Sequence, residues 1–131
     1  MLHAPRRRAL QALLAPLALL ALGCGGGTSF VATGTPPHPL TPRALQSVAV
    51  LRPPSRAPSP LVEVGRIEVS SGAHAPTSSG SEDALERLRA EAAGHGCEVV
   101  VAGDPHDVLF ATSNGTPLYK THVDGRCYVS P

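Results

Sequence analysis

The chain has 131 residues, with 11 Lys and Arg against 10 Asp and Glu, a formal net charge of +1 and 42% hydrophobic residues. That length holds one small domain and a tail. With balanced charge, no tryptophan and 3% aromatic residues, it lacks the basic field and the stacking surface of a nucleic-acid binder, and nucleic acid is set aside as a partner.

The opening "MLHAPRRRAL" carries three consecutive arginines, and an apolar stretch follows to Gly23, broken only by Gln11 and Pro16. A basic end followed by a short apolar segment is the build of an export signal. A spanning helix needs roughly 20 apolar residues, and residues 9–23 fall short of that and contain a helix breaker. The stretch closes on "ALGC", which resembles a bacterial lipobox ending in Cys24. The resemblance implies that residues 1–23 are a signal peptide removed before Cys24, and that Cys24 carries a diacylglyceryl group and amino-terminal acylation. An ordinary secretory signal holding a chance cysteine is the other reading. Several acyl chains hold a chain end in a bilayer far better than one, and Gly25, Gly26 and Gly27 leave the attachment flexible. Glycine rather than aspartate after the cysteine favours, by the same resemblance, the outer membrane.

With Cys24 lipidated, the chain's three cysteines leave an even pair, Cys97 and Cys127, which beyond the cytoplasm is expected to be oxidised. Two buried free thiols are the alternative, since spacing alone does not place their Cα atoms within bridging distance.

Residues 24–43 are rich in Gly, Thr and Pro without an apolar period, and read as a lipidated flexible linker. The domain is expected over residues 44–131. "ALQSVAVL" (44–51) predicts a first strand, and "RPPSRAPSP" a loop, because its prolines cannot donate to a ladder. "LVEVGRIEVSS" (61–71) alternates with a fault: Val62 and Val64 share one parity, Ile67 and Val69 the other. A β-bulge centred on Gly65 repairs that register.

"SEDALERLRAEAAGHG" places Leu85, Leu88 and Ala92 on one helical face with Ala84 beside them, and charges opposite. Ser79 and Glu82 have capping-box spacing, Ser81 is an alternative cap, and Gly94 or Gly96 supplies the stop. "CEVVVAG" (97–103) predicts a strand buried on both faces. The remainder predicts further strands with turns at Asn114-Gly115 and Asp124-Gly125. The fold class expected is α+β, a small sheet with one amphipathic helix packed on it after a disordered proline-rich tether.

The order "VEVGRIEVSSG", "ALERLRAEAAGHGCEVVV", "GRCYVS" over residues 60–130, with the leader, resembles the RcsF-like envelope lipoproteins. That resemblance implies a lipidated, proline-rich tail before a small α/β domain with late cysteines in disulfides, acting through protein contacts without catalysis. This chain departs from the pattern: one domain disulfide is available to it where the family's namesake has two. Only Cys24 as lipid site, and Cys97 and Cys127 as a structural bridge, carry over.

His95, Cys97, His106, His122 and Cys127, with Asp104 and Asp107, offer metal ligands, but no two have the spacing of a recognised zinc motif. The plainer reading makes Asp104, His106 and Asp107 polar loop residues and His95 the helix end. Ser113 sits in a turn signal outside any nucleophile-elbow context. "AGDP" lacks the Lys-Ser or Lys-Thr of a phosphate loop.

The expected function is therefore an outer-membrane-anchored lipoprotein facing the periplasm, held to the membrane by its lipid and meeting an envelope protein as partner. It would act as a sensor or structural accessory, non-catalytic, with no cofactor and no small-molecule substrate identified. A periplasmic metal-binding module using the late His and Cys residues is the alternative.

Overall fold

The computed structural model describes residues 27–131; the segment expected to be a signal peptide and Cys24 lie outside them. Its elements are β1 (Thr28–Ala32), a 3₁₀ turn (Leu45–Ser47), β2 (Ala49–Leu51), β3 (Val62–Ser70), α1 (Ser81–Gly94), β4 (Val99–Ala102), β5 (His106–Ser113) and β6 (Thr116–Val129). The sheet runs β1-β3-β6-β4-β2, with β5 also paired to β6. Every pairing is antiparallel except β2 with β4. This is the α+β fold expected, a mixed sheet with one helix on it.

The core lies between α1 and one sheet face. Gly65, Ile67 and Val69 of β3 stand opposite Cys127, Gly125 and Val123 of β6, and Val100 of β4 stands opposite Cys127 on the other side. Onto this face α1 lays Ala84, Leu88 and Ala92, all buried. The opposite face carries Arg66, Glu68, Asp124 and Arg126, charged groups that water must solvate. A sheet covered on one side keeps such alternation.

The parity fault in β3 is a bulge, one residue earlier than its glycine suggested. Glu63 pairs with Tyr128 and Gly65 with Cys127, so Val64 is the extra residue. That lets Val64, Ile67 and Val69 all reach the core, at 1%, 0% and 2% exposure.

Asp124-Gly125, expected to turn, lies inside the 14-residue β6. A Cβ at Gly125 would fall 2.7 Å from Val100 Cγ2 and 3.0 Å from Leu88 Cδ1. The glycine is there to let α1 approach the sheet, not to bend the chain. Gly125→Ala is expected to cost about 2 kcal/mol through overpacking, although alanine is the better residue in an open strand. Urea denaturation checks this, and an unchanged midpoint would show that Leu88 yields freely.

Other corrections are smaller. The strand expected over 44–51 is a 3₁₀ turn followed by three strand residues. The capping box does not form. Gly80 is the N-cap without a side-chain hydrogen bond, and the Ser79 hydroxyl accepts the Ser81 N–H at 3.3 Å. Gly96, at φ +78, ends the helix, and the N–H groups of His95, Gly96 and Cys97 bond back to Glu91, Ala93 and Ala92. In β4, Val100 and Ala102 are buried while Val99 and Val101 are only half-buried, because α1 packs on the other face of the sheet.

The linker reading of residues 24–43 is corrected from residue 27 onward. β1 is an edge strand, with Phe30 opposite Ile67 and its ring across Gly65. "TSFVA" is β-prone enough to take the free edge of β3. Beyond it the proline-rich segment is tied down: Thr33 N–H bonds Val64 O at 3.1 Å, and Arg43 N–H bonds Ala93 O at 2.9 Å. Within the described residues, the chain is thus hydrogen-bonded into the sheet from Gly27, three residues after Cys24.

Candidate functional site

Cys97 and Cys127 are joined in a disulfide, with Cα atoms 5.4 Å apart. Cys97 closes the helix-to-strand turn, while Cys127 is paired with Val100 and Gly65 in the middle of the sheet. Both are fully buried. With the sulfurs bonded to one another, neither serves as a thiolate ligand.

The remaining candidates are spread across the domain. His95 stacks on Phe30, ring centroids 3.9 Å apart, and its Nε2 lies 3.1 Å from Glu91 Oε1. His106 and His122 face each other across β5 and β6 with centroids 5.9 Å apart. Asp107 accepts a 2.6 Å hydrogen bond from Thr121 Oγ1. Asp104 lies in the exposed step between β4 and β5. Among the described residues, no three His, Cys, Asp or Glu side chains are grouped to hold a metal ion. Ser113 is at the far end of β5 from His106, seven steps or about 24 Å along the strand, and so outside hydrogen-bond reach of it.

One polar cluster was not foreseen. The buried Thr121 donates to Asp107, meets His74 Nε2 at 3.0 Å, and has its N–H accepted by Ser71 Oγ at 2.9 Å. Thr121 is 1% exposed, so its hydroxyl is closed to any substrate. The cluster fastens the segment after β3 to the base of the β5–β6 pair, because His74 also bridges Tyr119 through two backbone hydrogen bonds. Nothing in the local sequence around His74 signals this, since its partners come from elements far along the chain.

Two carboxylates are held below their ordinary pKa. A hydrogen bond from Gly72 N–H, and then Arg87, lower that of Asp83. The Ser130 N–H and hydroxyl, with Arg43 nearby, lower that of Glu98. Both fasten loops and ends to the sheet and helix.

Two surfaces remain. An open cleft of about 670 Å³ lies between β1, the proline-rich segment and the end of α1, lined by Phe30, Pro36, Pro37, Leu40 and His95 among others. It is mainly apolar and contains no nucleophile beside a base. The second is the β5–β6 hairpin, turned by Asn114 and Gly115 at φ 50 and 78, as a type I′ turn requires. All eight β5 residues are exposed. "VLFA" within it is one of the further strands expected, and the three-dimensional arrangement shows that among the described residues nothing covers it.

No protein-family model matches the chain, and no curated protein matches it in sequence. Among solved structures, the crystal structure of a Francisella virulence factor, FvfA, in an orthorhombic form is similar to it, at TM-score 0.51 and 12% identity. The match covers 78% of this chain and 96% of that one. At that identity the likeness is one of fold.

Proposed function

We propose that the chain is an exported bacterial lipoprotein, cut before Cys24 and lipidated there, whose α+β domain faces the periplasm from the outer membrane. It works by contact with another envelope protein, as a sensor or structural accessory, and without catalysis. One observation carries the reading. The buried Cys97–Cys127 disulfide takes two of the three cysteines and leaves over the one inside the lipobox-like "ALGC". A structural disulfide suits an oxidising compartment, the one into which such a leader would deliver the chain. The resemblance to the RcsF-like envelope lipoproteins points the same way, and so does a domain whose candidate surfaces are an apolar cleft and an apolar hairpin rather than a set of reactive groups.

Mass spectrometry of protein extracted from membranes tests the anchor. The expected mass is that of a chain beginning at Cys24 and carrying acyl groups. Cys24→Ser is expected to abolish the acyl mass and shift the protein from the membrane to the soluble fraction. An intact leader with an unmodified Cys24 in the envelope would overturn the proposal.

A further inference from the structure

Gly27 enters the sheet at the row that also forms the base of the β5–β6 hairpin. Its carbonyl accepts the Ser70 N–H at 2.9 Å, and its own N–H is donated to Ser70 Oγ at 2.8 Å. Ser70 is opposite His122, and His122 is opposite His106. From that row β5 and β6 continue as a hairpin for seven further steps, to the pair Ser113 and Thr116, about 24 Å at the rise of a strand, and the segment after β3 follows β6 only as far as the bridge between His74 and Tyr119. Along the projection Val108, Leu109 and Phe110 are 42%, 60% and 56% exposed. Phe110 is the extra residue where the register shifts between Leu109 and Ala111. The chain's single lysine, Lys120, holds its ammonium 4.0 Å from the Phe110 ring centroid.

We infer that this hairpin lies on the phospholipid bilayer that holds the anchor. The inference rests on lipid attachment at Cys24, and chain length then carries it. Cys24 precedes Gly27 by three residues, which reach at most about 11 Å when fully extended. Acyl chains on Cys24 therefore bring the headgroup region within about that distance of the row, while Val108 to Ala111 lie about 7 to 17 Å along the hairpin from the same row. The apolar run is thus within reach of the membrane surface.

Its chemistry fits that surface. Residues 108–119 contain no charged side chain, and the charges that flank them are those of Asp107 and Lys120 at the hairpin's base. Consecutive exposed apolar residues mark an interaction site, unlike the single ones at Val31, Leu45 and Val62. Phe110, with Val108 on the face that carries Lys120, supplies the part that enters the acyl boundary, and Lys120 an ammonium within reach of lipid phosphates.

Because the chain has no tryptophan, Phe110→Trp provides a single reporter at a side chain whose exposure keeps the fold out of the test. The mature lipidated protein carrying it is reconstituted in phosphatidylethanolamine–phosphatidylglycerol vesicles, with and without brominated acyl chains. Brominated lipid is expected to quench its emission at least twofold. It should leave Leu45→Trp, on the exposed 3₁₀ turn at the other end of the sheet, nearly unquenched. Equal, weak quenching of both reporters in protein whose mass shows the acyl groups would overturn the hairpin's placement and leave the anchor standing. A blue-shifted but unquenched Phe110→Trp signal that grows with protein density in the vesicle would also overturn it, since a second copy would then be covering the hairpin. Protein without acyl mass at Cys24 would overturn the anchor, and the placement with it.

Discussion

Removal of the disulfide is expected to lower the stability of the domain by about 3.5 kcal/mol, the chain-entropy value for a closed loop of roughly 30 residues. The two cysteines are 30 positions apart. Without the bond, the unfolded chain regains the freedom of the whole segment that contains β4, β5 and most of β6. Against a typical stability of about 5–15 kcal/mol, that is from about a fifth to about two thirds of the total. The replacement chosen decides what is measured. Both side chains are fully buried, so serine would also bury two hydroxyls among apolar groups. The pair Cys97→Ala and Cys127→Ala avoids that cost. Urea denaturation of the alanine pair and of the reduced parent chain should show the same fall in midpoint. A parent whose midpoint ignores reductant would show that the bond constrains nothing.

Leu88→Ala is expected to cost about 3 kcal/mol, in the range found when a buried leucine is cut back to alanine. Leu88 is fully buried and sits over the gap left by Gly125, beside Val100. Strands on either side hold Gly125 in place, so the sheet beneath cannot rise to fill the void. The glycine supplies an independent check. In the parent chain Gly125→Ala overpacks the site, but in Leu88→Ala its new methyl group occupies part of the cavity. The two changes together should therefore be less destabilising than their sum by about 1–2 kcal/mol. Strict additivity would mean that Leu88 and Gly125 do not share one space.

These two sites also show where sequence reasoning succeeds and where it stops. Helix α1 was legible because Leu85, Leu88 and Ala92 repeat at helical spacing with Ala84 beside them; Ala84, Leu88 and Ala92 are buried, and Leu85 is half-buried against the core. The β3 bulge was legible because a parity change leaves a mark in the order of apolar residues. Asn114-Gly115 turned as expected, since the preference of that pair for positive φ is local. Asp124-Gly125 carries the same local preference and stays extended, because a helix packed above it needs the missing side chain. No reading of neighbours along the chain shows what lies overhead. β1 was missed for a related reason. Five β-prone residues amid Gly, Thr and Pro become a strand only when β3 offers them an edge. Of the candidate site, the cysteine pair could be deduced by counting, whereas the exposure of Val108, Leu109 and Phe110 could not. Local pattern distinguishes strand from helix, but burial is a property of the whole arrangement.

The order of the strands has a consequence for assembly. β6, the last in the chain, is the one to which β3, β4 and β5 all pair, and β1 and β2 occupy the two outer positions. A polypeptide emerging amino end first therefore presents its rims before the stave between them, and no ladder joins β3 to β4 until β6 is delivered. Such long-range closure makes for slow completion. It also leaves the emerging chain pliable until its last strand is delivered.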